Sequence, residues 1–234
     1  MSETEAVGPY ATLVEEHGFS AAHRLVLELA SPDLRGRRVL DVGCATGYVA
    51  RELTARGAAQ VDGVEFDPAA AAQARAHCRE VVVGDLEAPL TRDQVAALGR
   101  PDLIVCADVL EHLRDPWDTL AWLNGLLAPG GKAIISIPNI AHWTARRALL
   151  QGRFDYADHG LFDRTHLRFF TRASVRELAR RAGFAVQAER PAGAPLPLES
   201  RVPALRAVRD PCVRRCPALL ALQFVLVLVP DQRP

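Results

Sequence analysis

The chain has 234 residues, of which 49% are apolar, enough for one substantial core and too few for two comfortable domains. Its 28 basic and 28 acidic side chains cancel, which excludes a global field drawing it to nucleic acid or anionic lipid and leaves only local patches for such partners. Five cysteines, an odd number, suggest no disulfide framework and fit a reducing compartment.

The N-terminal MSETEAVGPY lacks the basic start and apolar stretch of a secretory signal, so a cytoplasmic location is expected. Two helices are predicted next, from YATLVEEHG and FSAAHRLVLELA, the second ended by Ser31-Pro32. Then β-rich runs alternate with helices: RRVLDV, AAQVDGVEF, EVVVGD, PDLIVCAD and KAIISIPN. Connecting helices are predicted over 47–56, 68–77, 116–127, 140–150 and 172–182, with Pro68 and Pro116 near helix starts, where a missing N–H costs little. That alternation predicts an α/β fold with a doubly wound, mostly parallel sheet. FAVQAER and LQFVLVLV close the chain as a late antiparallel pair, joined by about 30 residues read as a Pro- and Arg-rich surface loop. The longest apolar run, ALLALQFVLVLV, falls well short of the roughly 20 residues of a membrane span, and no membrane partner is expected.

In a doubly wound sheet the first strand-to-helix turn touches the ligand. Here it reads Asp41-Val42-Gly43-Cys44-Ala45-Thr46-Gly47. Gly43 permits a sharp exit from the strand, Gly47 would let backbone approach a ligand, and Asp41 can accept from an ammonium or a loop N–H. A dinucleotide site prefers G-x-G-x-x-G, and the aspartate would repel pyrophosphate. No Tyr-x-x-x-Lys pair surrounds Lys132, the only lysine, as a short-chain dehydrogenase would need. Glu65, ending the second strand, is placed for ribose hydroxyls; Asp85, ending the third, can accept from an adenine amino group with Leu86 against the ring.

These motifs, with PDLIVCADVLEHL and LLAPGGKAIISIPN, resemble the Rossmann-like, class I S-adenosylmethionine-dependent methyltransferases over about residues 20–190. That family more often has Gly where Ala45 stands. The resemblance implies a seven-stranded sheet with an antiparallel last strand and S-adenosylmethionine as cofactor. It places the cofactor against Asp41, Gly43, Cys44, Ala45, Gly47, Glu65, Phe66, Asp85, Leu86, Ala107 and Asp108. A radical enzyme would need a third cysteine after Cys212 and Cys216, where Leu219 stands.

A single domain over 1–234 is expected, with a helical cap at 1–35, a cofactor core at 36–138, an acceptor lid at 139–171 and a C-terminal hairpin at 184–230. The lid carries HGLFDRTHLRFF, similar to lids of bacterial methyltransferases of saccharide and natural-product pathways. His166 is the first candidate for a general base and His142 the second; Arg164 or Arg168 could meet an acceptor anion or pair with Asp163. Asp108, Glu111 and His112 match an acid-x-x-Glu-His pattern that some relatives use, with a further histidine, to hold a divalent metal. Among those relatives are ubiquinone-pathway O-methyltransferases and small-RNA 2′-O-methyltransferases. Many others carry the Glu-His pair without one, and no metal is assigned. The expected activity is methylation of a small polar acceptor at oxygen: a sugar hydroxyl, phenol or carboxylate. RNA or peptide methylation, and a non-catalytic cofactor-binding protein, remain alternatives; the Arg201–Arg215 stretch lacks aromatics for base stacking, so no nucleic-acid partner is expected. Self-association through the sheet edge or the Arg-rich loop stays open.

Overall fold

The computed structural model describes residues 20–194 and 204–231. The elements in chain order are α1 (Ala21–Ala30), β1 (Arg38–Val42), α2 (Tyr48–Ala55), β2 (Gln60–Glu65), α3 (Pro68–Ala74), β3 (Val81–Val83), α4 (Pro89–Ala97) and β4 (Leu103–Ala107). They continue with α5 (Pro116–Leu126), β5 (Lys132–Pro138), α6 (Trp143–Leu150), α7 (Arg172–Arg181), β6 (Phe184–Gly193), α8 (Leu205–Arg215), α9 (Pro217–Leu220) and β7 (Ala221–Pro230). Short 3-10 turns occupy Ser31–Asp33 and Leu110–His112.

The seven strands form one sheet in the order β3-β2-β1-β4-β5-β7-β6. β1 to β5 pair in parallel, and β7 runs antiparallel to both β5 and β6. This is the α/β arrangement expected, with the strand order reversing direction between β1 and β4. In open sheets of this kind ligands bind outside the strands' carboxyl ends at such a switch point.

Burial on both faces explains why the central strands are near-continuous apolar runs. Ile104, Cys106 and Ile135 face one core with Leu120, Leu123 and Phe184; Val39, Val105 and Ile134 face the other with Val26, Leu27 and Leu53. Helix starts are set locally. Asp67 accepts from Ala69 and Ala70 N–H groups ahead of Pro68, and Asp115 accepts from Asp118 N–H ahead of Pro116. Thr171 and Ser174 cap α7 reciprocally.

Three elements differ from expectation. α4 fills the β3-to-β4 crossover, where no helix was predicted; its apolar side is thin, with only Thr91 and Val95 buried. β6 continues through Arg190-Pro191-Ala192-Gly193, stretching into the supposed loop, and Pro191 is tolerated because β6 is the sheet edge. The β6-to-β7 connection contains α8, which runs through Pro211 and buries Val213 against Gly193. The helix expected from YATLVEEHG lies outside the described residues. No helix among the described residues is long and apolar enough to cross a membrane.

Candidate functional site

The turn after β1 is stitched to β2, where Gly43 and Cys44 N–H groups both donate to the Val64 carbonyl at 2.8 and 3.1 Å. Gly43, Ala45 and Gly47 all adopt positive φ, at 69°, 47° and 83°. For Ala45 that conformation costs roughly 1–2 kcal/mol, which glycine would avoid. At Gly47 an added Cβ would lie 3.0 Å from Ala74 Cα, so the missing side chain serves the approach of α2 to α3. The ligand approach expected from the sequence would use the same missing side chain. Cys44 is buried beneath the turn, its sulfur against Gly63.

Asp41 is 2% exposed, and its Oδ2 has no hydrogen-bond partner. Burial, reinforced by the Glu65 charge, pushes its carboxyl up to about 8. A group so placed is satisfied by a cation. Glu65 accepts from Ala45 N–H at 2.8 Å through one oxygen and from Phe66 and Asp67 N–H groups at 2.8 and 2.9 Å through the other. These bonds fix the carboxylate at the β2 terminus. Phe66 stands 73% exposed beside it. Asp85 accepts from Glu87 N–H at 2.9 Å and pairs with the exposed Arg114 at 3.2 Å; Leu86 is buried.

At the end of β4, Ala107 leads into Asp108, whose φ of 56° is unusual for a non-glycine residue. Its Oδ1 accepts from the Ser136 hydroxyl at 2.6 Å and the Gln223 amide at 2.8 Å, tying β4 to β5 and β7. Its charge is felt by His23 and Tyr48 on one side and by Glu111, His112 and His166 on the other. Asp108 therefore stands between two groups of titratable side chains. The sequence reading had not singled out His23 or Tyr48, which touch at 3.2 Å between Nε2 and the phenol oxygen. The available signal was a histidine on the otherwise apolar face of α1.

The second group gathers Glu111, His112 and His166, whose donor atoms all lie within 4.8 Å of one another. Glu111 is 1% exposed with neither carboxylate oxygen hydrogen-bonded. Burial, then the Asp108 charge, raises its carboxyl well above the ordinary range. Burial lowers both histidines, which favours neutral rings with a lone pair to offer. Asp108, counted in the acid-x-x-Glu-His pattern, is occupied elsewhere, and His166 arrives from the lid.

The segment expected to form the lid is docked on this turn. Leu167 and Arg168 N–H groups donate to the Glu111 carbonyl at 2.8 and 3.0 Å, and Arg168 Nε donates to the Arg114 carbonyl at 3.1 Å. Rings run outward from it: His112 to His166 at 4.9 Å, His166 to Phe169 at 6.2 Å, Phe169 to Phe154 at 5.6 Å, and Phe154 to Tyr156 at 5.5 Å. His142 is not one of the three grouped donors. It is 2% exposed, holds Thr144 Oγ1 at 2.8 Å and caps α6. Arg164 pairs with Asp158 at 2.8 Å rather than with Asp163.

A family described as "Methyltransferase domain" matches residues 14–189. A ubiquinone biosynthesis O-methyltransferase of Alkalilimnicola ehrlichii is 37% identical over 108 residues, 45% of this chain and 43% of that protein. The like-named protein of Neisseria meningitidis serogroup C is 36% identical over 110 residues, 46% of each. The chain thus spans about half the length of the curated relatives it matches. Among solved structures, an S-adenosylmethionine-dependent methyltransferase from Mesorhizobium loti superposes with a TM-score of 0.60 at 18% identity, covering 88% of this chain and 97% of that one. Magnesium protoporphyrin IX methyltransferase from Synechocystis, with bound SAH, gives 0.60 at 17% identity over 90% and 84%. At those identities the likeness is one of fold.

Proposed function

The chain belongs to the methyltransferase-domain family, in its S-adenosylmethionine-dependent class, and we propose that it moves a methyl group to an oxygen of a small, ring-bearing acceptor. The observation that carries this reading is Glu111, buried and unpaired, grouped with His112 and His166 at the end of β4 and opening onto a ring-lined lid. The name shared by the curated relatives supports oxygen as the acceptor atom.

Methyl transfer from a sulfonium is an in-line displacement: the carbon–sulfur bond breaks as a carbon–oxygen bond forms, S-adenosylhomocysteine leaves, and the hydroxyl proton passes to a base, water or a neutral histidine ring. Asp41 would receive the cofactor's ammonium and Glu65 its ribose, while Asp85 and Leu86 would flank the adenine. Asp108, locked by Ser136 and Gln223, would keep the acceptor side in register with the cofactor side. The lid rings would hold a flat acceptor and exclude water.

Glu111, His112 and His166 fit a divalent cation, because an orphaned buried carboxylate beside two neutral imidazoles lacks only its counter-charge. One carboxylate with two imidazoles suits manganese, iron, cobalt or zinc better than magnesium, which prefers oxygen donors. When bound, such an ion lowers the pKa of a coordinated hydroxyl. His166 is then one of three donors, and the lone-base role belongs to the metal-free alternative.

The test is a panel of phenols, catechols and sugars incubated with S-adenosylmethionine and manganese, read by mass spectrometry. Methyl ethers of the phenols and catechols are expected, and a chelator should abolish them. Turnover confined to the sugars would sink the acceptor assignment, and full turnover in chelator would sink the metal.

A further inference from the structure

The lid reaches back to the Glu111 group with more than His166. His112 Nδ1 lies 3.0 Å from Thr165 Oγ1 and 3.3 Å from the Thr165 carbonyl oxygen. The Thr165 hydroxyl donates to Asp163 Oδ1 at 2.7 Å, and Thr165 N–H donates to the same oxygen at 2.8 Å. Asp163 is 1% exposed, so this acceptor is fixed and shielded.

These contacts determine where the proton of the His112 ring sits. A carbonyl oxygen can only accept, and a hydroxyl whose hydrogen is committed to a carboxylate can also only accept. Nδ1 must therefore carry the hydrogen. In a neutral ring that leaves the lone pair on Nε2, and a ring nitrogen of His112 lies within 4.8 Å of donor atoms of Glu111 and His166. Closing the Asp163 turn does not itself require Thr165 to reach a histidine on another loop, so the contact has a purpose beyond turn geometry. A donor histidine whose other N–H is anchored to a carbonyl or carboxylate is the usual way a metal site fixes ring orientation.

We propose that Thr165 and Asp163 are positioning residues for His112: the Asp163–Thr165 pair holds the Nδ1–H tautomer and so presents Nε2 to a divalent cation shared with Glu111 and His166. This deepens, and rests on, the metal reading of the site. The pair couples lid to metal, since the segment that supplies His166 as a donor also orients His112.

The test uses the whole chain with cobalt(II) as probe. In the metal-free protein, nitrogen-15 spectra of the histidine rings should show His112 protonated on Nδ1. Calorimetry should show Thr165→Val weakening cobalt binding by roughly 10- to 100-fold, with Thr165→Ser restoring the parent affinity and Asp163→Asn weakening it too. A His112 ring protonated on Nε2 in the parent, or parent-like cobalt affinity in folded Thr165→Val, overturns the proposal and leaves the metal reading standing. A parent protein that binds no cobalt overturns both. Comparison with Thr165→Ser separates loss of the hydroxyl from loss of the fold, because the serine variant keeps the hydroxyl and gives up only a methyl group.

Discussion

Two carboxyl groups carry the account at the scale of single residues. Asp41 is held up to about 8, against an ordinary 3.8, by burial and by Glu65. An acid raised in this way favours the folded state fully below its unfolded pKa and loses that contribution as pH rises toward 8. A cationic ammonium reverses the balance by favouring the ionised form, so binding it releases a proton. The affinity for S-adenosylmethionine should therefore strengthen from pH 6 to pH 8, and Asp41→Asn should bind weakly and without that slope; calorimetry across this range checks it. Glu111 follows the same sign, its burden growing above the ordinary carboxylate range. Glu111→Gln should raise the thermal midpoint of the metal-free protein, more at pH 8 than at pH 5, while abolishing transfer. A variant that melts lower at pH 8 would mean the carboxylate is already compensated.

At the scale of elements, the α2–α3 contact gives the glycine turn a structural purpose separate from the ligand. Gly47 combines φ of 83° with a 3.0 Å approach to the Ala74 backbone. Gly47→Ala should destabilise the cofactor-free protein by at least about 1 kcal/mol, measurable by denaturant unfolding. Unchanged stability with lost cofactor binding would return Gly47 to the ligand. The central strands were legible because residues such as Val39, Ile104 and Ile135 are buried on both faces and must be apolar whatever their neighbours. α8 was illegible for a local reason: Pro211 and the surrounding arginines read as loop, and only its packing on β6 through Val213 makes a helix worthwhile. α4 buries too little to leave a periodic signal. The Pro191 end of β6 was hidden because proline is acceptable only once the strand is known to be an edge.

For the molecule as a whole, the two halves of the site differ in how far sequence could reveal them. Asp41, Glu65 and Asp85 sit at successive strand ends, so a parallel sheet aligns them automatically, and reading the strands locates them. The other half is assembled by the lid folding back. Glu111 and His112 lie on the turn after β4, His166 lies beyond β5 and α6, and they meet where Leu167 and Arg168 dock on the Glu111 carbonyl and Thr165 meets His112. The Glu111-His112 pattern and the chemically loaded His166 are each recognisable in the sequence, but not that His166 is the further histidine the pattern takes. The central claim is that these halves together methylate a small molecule. The most direct measurement supplies isotope-labelled methyl as S-adenosylmethionine to a size-fractionated extract of the source cells, with His166→Ala beside the parent. Label in the small-molecule fraction, as a methyl ether and lost in the variant, is the predicted result; label confined to RNA or protein would contradict it.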